Sequence, residues 1–507
     1  MFLHVAALTA VLALVYYAVN RFGEYQKLRH IPGPFWARIT HLWVIRLVLR
    51  GQYIDMMLDL HGKYGPVVVM APDYVLLSDP AEIKKIGNVR SPWGRAPGYQ
   101  SFRFSPGPAG DSILSMRDDK AHARMRAKLS SGYAGKTVDG VEQMVDRHVM
   151  QLVDIIDTKY ITTPGTTYRP LDFSRLAQYL TIDVITSFAF QETFGCLERE
   201  DDFHGYLDAV SGAVAPLLSF AFLPLYPKLM DMSALGSIFP EGGFFPKVFE
   251  MARREVGKRY GEQAHELKER NDVLGTWVAA GLGQKELENE TVAQLTAGGE
   301  TTGTGIRAMM LYLMTSPHSY RSLQREIDEA LKSGAVLRSP ISDSDAAKLT
   351  YLEAVLKESL RLVAPAAFFP KSSVTDEILC GFKIPAGVSV EPAYKPALRS
   401  KEIFGEDASY FRPERWIETN EDRARLMDET FRFVFGGPSR WECLGKGLAF
   451  MQMRKVIFEL YRQFDFTLVN PTRPWKAAGT RIWVIEDLWV QVTRRDQTGG
   501  PGMEIKT

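Results

Sequence analysis

The chain opens on an apolar run, Phe2 to Val19 (FLHVAALTAVLALVYYAV), that carries no formal charge and is just long enough for a helix to cross the hydrocarbon layer of a bilayer. Arg21, Lys27 and Arg29 all come after it, whereas a cleaved signal peptide would be shorter, with cations in front and a small-residue cleavage site behind. The pattern predicts a single-pass membrane anchor and its linker over residues 1–30, with the rest of the chain cytosolic by the positive-inside rule. A buried core helix is the alternative, and the terminal position argues against it. Ile31-Pro32-Gly33-Pro34 then fixes two backbone angles and forbids helix continuation, separating the anchor from the body of the chain.

Beyond that hinge, apolar positions recur with helical period, interrupted by strand-like runs such as Pro66 to Leu77 and Phe382 to Val390. With no repeat and no low-complexity linker, the pattern predicts one mainly α domain with small β-sheets over residues 31–495, and a frayed Gly-rich tail over 496–507. Helices are predicted over Lys120 to Leu129, Leu352 to Val363 and Lys446 to Leu460. A longer one runs from Asn289, its expected cap, to Thr315, and ends before Pro317. Pro92 to Pro108 and Ala213 to Pro246 read as loops rich in apolar residues, the mark of a membrane contact or ligand entrance, or of simple packing on the core.

Composition narrows the function. Of 507 residues, 46% are apolar and 24% charged, which excludes disorder and fibre, and 61 Lys plus Arg against 60 Asp plus Glu disfavours a nucleic-acid partner. The three cysteines, Cys196, Cys380 and Cys443, are widely spaced and include no CxxC pair, against both a disulfide framework and a zinc cluster.

Cys443 alone lies after a glycine-bearing turn (Phe435-Gly436-Gly437-Pro438-Ser439-Arg440-Trp441-Glu442-Cys443) and before a helix start. Amides of the coming helix and the nearby Arg440 favour a thiolate there, while the glycines let backbone approach a flat cofactor. Four glycines within the long helix (298, 299, 303 and 305) would each cost about 1 kcal/mol relative to Ala, so a close approach or local opening should compensate. Beside them, Glu300 and Thr301 offer the carboxylate and hydroxyl that a proton relay needs. Glu358 and Arg361 share a helical face.

Together these segments resemble the cytochromes P450, whose cysteine loop, oxygen-binding helix, Glu-x-x-Arg and Pro-Glu-Arg segments occur here in the same order over nearly the whole chain. Two offsets differ. Phe435 stands eight residues before the cysteine where the family has seven, and Arg440 three before where the family has two, so Trp441 takes the usual Arg position. Fungal members resembling pisatin demethylase also carry Arg-aromatic-any-Cys-Leu-Gly; the additional residue near Pro438 is expected to bulge the loop. The resemblance implies heme b ligated by Cys443, with Phe435 stacked beside the cysteine and Arg440, His122, Arg126 and Lys371 toward the haem propionates. Glu300 and Thr301 would organise water and deliver protons, and Arg415 would join Glu358 and Arg361 in a structural lock.

The implied activity is insertion of one oxygen atom from O2 into a hydrophobic small molecule, in fungal secondary metabolism. Electrons would come from NADPH through NADPH-cytochrome P450 reductase docked on the cysteine side, for which Lys446, Arg454 and Lys455 are candidate cations, a plain solvated helix surface being the other reading. The expected location is the endoplasmic reticulum membrane. Two rival readings are a haem-thiolate isomerase or dehydratase needing no O2, whose members typically lack the acid-threonine pair, and a noncatalytic haem-binding protein.

Overall fold

The computed structural model describes residues 23–495 except 134–137, 139, 164, 166, 203–204, 233, 235–240, 262–271 and 368. The predicted anchor, Phe2 to Val19, lies outside the described residues, as does the tail from 496. Among the described residues no helix is long and apolar enough to cross a membrane.

The architecture is mainly helical with four small sheets among the described residues. At its centre the helix Gln284–Thr315, 32 residues long, packs on the helix Phe173–Phe190, of which every residue but Arg175 is buried. The long helix starts five residues earlier than the predicted Asn289. Gly283 donates its N–H to the Glu286 carboxylate at 3.0 Å, satisfying the first turn, and Asn289 is instead interior, its amide donating to the carbonyls of Ala109 (2.9 Å) and Asp111 (3.2 Å). A side chain that can cap a helix can equally tie a helix to a loop, and the period alone does not separate the two.

Three of the four glycines of this helix mark close packing; at Gly299 a Cβ would find ordinary contact. A Cβ on Gly298 would stand 2.8 Å from Ile185, one on Gly303 3.2 Å from Gln178, and one on Gly305 2.7 Å from the sulfur of Met453, on the helix Lys446–Gln463. The expected compensation is thus interhelical contact on two sides.

Ala213 to Pro246 is not a loop in the main. Helices Tyr206–Phe220 and Leu225–Met230 occupy its described part before Pro246–Gly257 begins, and Pro216 is accommodated inside the first. Its near-continuous apolar character hid the period, because several faces of these helices meet protein. Pro92 to Pro108 has no α-helix: it holds the short strand Gly94–Arg95, a 3-10 segment over Pro97–Phe102 and the start of a second over Pro108–Gly110.

The largest sheet orders its strands Val67–Ala71, Tyr74–Leu77, Ser389–Pro392, Lys371–Ser372 and Gly94–Arg95. The Pro-Gly hinge docks on its edge: Val69 donates its N–H to the Pro32 carbonyl at 2.9 Å, and a Cβ at Gly33 would fall 2.9 Å from the Val69 carbonyl oxygen. At the opposite edge Arg95 pairs in register with Lys371, bringing together cations 276 positions apart in the chain.

Behind the cysteine loop, Glu358 and Arg361 form two hydrogen bonds of 2.8 Å, both side chains fully buried. Arg415 adds a third at 2.9 Å, and Trp416 a fourth from its indole N–H at 2.9 Å. Arg361 reaches on to the carbonyls of Leu398 and Ala408, so the lock fastens the helix Thr350–Leu362 to the chain that leads into the cysteine loop.

Candidate cofactor and substrate site

One large, mostly apolar cavity lies between the long helix and the cysteine loop, with Thr301 on one wall and Cys443 on another. Cys443 sits deep in the protein, yet its sulfur has open space before it, because that space is the cavity itself. The loop closes through the Cys443 N–H, which donates to the Phe435 carbonyl at 2.9 Å, and Gly436 holds the left-handed conformation at φ +71° that its turn demands. Ser439 to Glu442 form a further turn, where the Glu442 N–H reaches the Ser439 carbonyl at 3.2 Å and Ser439 Oγ donates to the Gly436 carbonyl at 2.6 Å. Phe435 still lines the cavity, its ring 5.3 Å from that of Phe450.

Burial pushes the Cys443 thiol up, while the Gly445 N–H and the Arg126 guanidinium pull it down. The cation nearest in effect is therefore Arg126, which also donates to the Glu442 carbonyl at 2.6 Å. Arg440 turns away to the carbonyls of Val89 (2.7 Å) and Trp93 (2.9 Å) and to Asp119 (2.7 Å). Cys196 and Cys380 differ in kind: burial pushes the first thiol up to about 12 and the second to about 11.

Cations crowd the rim beside the cysteine. His122 and Arg126 share a face of the helix Asp119–Tyr133, and both line the cavity with Arg95, which sequence reasoning missed. Lys371 lies with its ammonium 4.1 Å from the centroid of the Trp441 ring, whose other neighbours are Arg440 at 4.3 Å and Arg95 at 6.0 Å. Burial lowers all three, Lys371 to about 7, Arg95 to about 10 and His122 to about 3; neighbouring cations add to this at Lys371 and His122, whereas Tyr99 and Asp119 oppose it at Arg95. Two like charges directly opposed across a strand pair destabilise it, so an anion is expected to bind among them. The buried indole N–H of Trp441 has no partner and points to the same conclusion.

Glu300 and Thr301 are neighbours on adjacent faces of the helix. The Thr301 hydroxyl donates to the Ala297 carbonyl at 2.8 Å and faces the cavity. Glu300 accepts a 3.0 Å hydrogen bond from Arg307, a buried side chain that also grips the Ser174 carbonyl and Gln178. Arg307 was legible only as an arginine two helical turns after an acid; its burial against a second helix was not.

A group with two carboxylates and a metal that takes a thiolate, as haem has, fits this donor set: Cys443 opposite Thr301, with the cations and the Trp441 N–H at one edge. Of the candidate docking cations, Lys455 is fully buried between Glu142, Asp146 and the Ile341 carbonyl, and Arg454 is bound to Glu353 and Asp343. Neither offers itself to a partner. Lys446 is about one-third exposed and pairs loosely with Glu442.

Known proteins give the same reading. The family profile described as Cytochrome P450 matches residues 30–487. A protein of Pyricularia oryzae named cytochrome P450 monooxygenase ABA1 is 33% identical over 96% of both chains. The Botryotinia fuckeliana protein named cytochrome P450 monooxygenase aba1 is 33% identical over 93% of both. A third relative, the cytochrome P450 monooxygenase gsfF of Penicillium aethiopicum, is 32% identical over 88% of this chain and 90% of its own.

Proposed function

The chain belongs to the cytochrome P450 family, and from that premise we propose that it is a monooxygenase holding heme b on Cys443 and inserting one oxygen atom of O2 into a hydrophobic small molecule of fungal secondary metabolism. The observation that carries this is the meeting, across one apolar cavity, of an open cysteine sulfur, a threonine hydroxyl and a rim of buried basic side chains beside an unpartnered indole N–H.

Cys443 supplies the thiolate ligand. Arg95, Arg126, His122, Lys371 and the Trp441 N–H hold the propionates, with Arg440 bracing the rim through Asp119 and two carbonyls. Haem held there would supply the chemistry of dioxygen activation, and a thiolate ligand such as Cys443 would favour it. The Thr301 hydroxyl spends its proton on Ala297, which leaves its oxygen free to accept from a water held in the cavity. Glu300, fixed by Arg307, brings protons toward that water from the side of the helix Phe173–Phe190. Val210, Val214 and Leu217 close the substrate space and exclude bulk water.

Electrons come from NADPH through the reductase, received on the cysteine side. Phe2 to Val19 tethers the enzyme to the endoplasmic reticulum membrane. Supporting this orientation, the helix Leu42–Leu49 packs against Tyr206–Phe220, and exposed apolar side chains cluster on these segments and their flanks, among them Phe35, Trp36, Leu42 and Leu225.

Cysteine replacement tests the assignment. Cys443→Ser should abolish the thiolate-type spectrum of the carbon monoxide adduct together with NADPH-dependent turnover, whereas Cys196→Ser and Cys380→Ser should keep both. A thiolate-type spectrum persisting in Cys443→Ser places the ligand elsewhere. Product formed without NADPH and reductase would favour the isomerase reading.

A further inference from the structure

The wall that carries Thr301 also carries polar groups that neither cofactor anchoring nor proton delivery uses. Glu290, Gln294, Ala297 and Thr301 succeed one another at intervals of four, three and four residues, so they form a single stripe on the long helix, and all four line the cavity. Around them the wall is hydrocarbon: Val210, Val214, Leu217 and Phe245.

Gln294 is 5% exposed; its amide interacts weakly with the Tyr133 hydroxyl, and neither its nitrogen nor its oxygen finds a partner in good hydrogen-bond geometry. Glu290, one turn earlier, is 2% exposed and accepts one hydrogen bond, from the Ile113 N–H at 2.7 Å. Burial foremost, with the nearby Glu286 and Asp111 carboxylates, pushes its carboxyl up to about 8, so at neutral pH it is mostly protonated and can donate as well as accept. A carboxamide that forgoes water without gaining a well-placed partner is a standing cost, recovered when a ligand supplies the missing donor or acceptor.

We propose that Gln294, flanked by Tyr133 and Glu290, binds a neutral oxygen function, a hydroxyl or carbonyl, on an otherwise apolar substrate. The proposal deepens the monooxygenase reading and rests on it, because Thr301 marks the reacting end. Seven residues of helix separate Gln294 from Thr301, which places the bound oxygen roughly 10 Å from the carbon that is oxidised. The substrate is then an already oxygenated hydrocarbon, and the enzyme works at the end remote from that first oxygen. A neutral function is favoured over a carboxylate: Glu290 itself is pushed toward its protonated form there even though Arg95 acts on it, so the wall does not stabilise a second negative charge.

The test uses the haem-loaded full chain and a series of N-alkylimidazoles with their ω-hydroxy counterparts, of alkyl lengths spanning that separation. The imidazole binds iron and shifts the Soret band, so affinity is read directly. At the length that reaches Gln294, the hydroxy member should gain roughly three- to tenfold over its methyl-ended twin when wild type is compared with Gln294→Leu. Gln294→Met gives the same comparison should Gln294→Leu load haem poorly. A hydroxy-to-methyl affinity ratio identical in wild type and variant at every length overturns the proposal. Absence of the thiolate-type carbon monoxide spectrum in the same haem-loaded chain would instead overturn the haem-thiolate reading beneath it.

Discussion

At the scale of single residues, the site divides into groups that bind and groups that move protons. If the Thr301 oxygen holds the water that delivers protons, Thr301→Ala should load haem and bind substrate normally yet release hydrogen peroxide in place of product, with NADPH consumption continuing. Product formed per NADPH at the wild-type ratio would remove Thr301 from the mechanism. Glu290 makes a separate prediction through proton linkage. Its carboxyl titrates near 8 in the folded protein and near the usual carboxylate value when unfolded, so between those values the folded state holds a proton that the unfolded state releases. Stability therefore falls as pH rises through that window, by up to about 1.4 kcal/mol per pH unit, and levels off above it. Thermal midpoints of wild type and Glu290→Gln should diverge from about pH 5 to about pH 8, the variant gaining as pH rises; a constant difference would show that Glu290 is solvated. The residue types at this site were mostly legible. Cys443, Thr301, His122 and Arg126 stand in recognisable spacings and all four line the cavity, whereas Arg95 and Trp441 became visible as partners only through a two-residue strand pairing and the loop turn.

Among elements, the decisive relations are interhelical. Gly298, Gly303 and Gly305 trade helix propensity for contact with Ile185, Gln178 and Met453, which is why the long helix can lie close to two neighbours and still present Thr301 to the cavity. The Glu358, Arg361 and Arg415 lock acts between elements in the same way, holding the helix Thr350–Leu362 against the run into the cysteine loop. Removing one member leaves a buried charge without its partner, so Arg361→Ala should cost roughly 3–5 kcal/mol and yield little haem-loaded protein. Normal expression with full haem content would show that the three charges are dispensable. Helix positions were readable from periodicity where one face is polar, as in Thr350–Leu362 and Lys446–Gln463. They were lost over Tyr206–Phe220, where apolar residues are near-continuous because several faces of the helix meet protein.

Over the whole molecule, the proposed membrane anchor is expected to be separable from the catalytic body. Deleting Phe2 to Val19 should make the protein extractable from membranes by alkaline carbonate while preserving the thiolate-type carbon monoxide spectrum; resistance to extraction would assign the attachment to the exposed apolar side chains of the body, and protease protection of the body in sealed microsomes would reverse the orientation. By itself the sequence determined the class of protein, the mainly helical domain, the ligand cysteine as a candidate and the order of its segments, because those depend on local spacing: a turn, a helix start, an acid beside an alcohol. Only the tertiary structure decided which charges meet. Arg95 opposes Lys371, Arg440 turns to Asp119, and Lys455 is buried where an exposed cation was expected. These outcomes depend on distances between segments tens to hundreds of residues apart, and burial, which sets the strength of every charge in the cavity, is a property of the packed chain and of no segment alone.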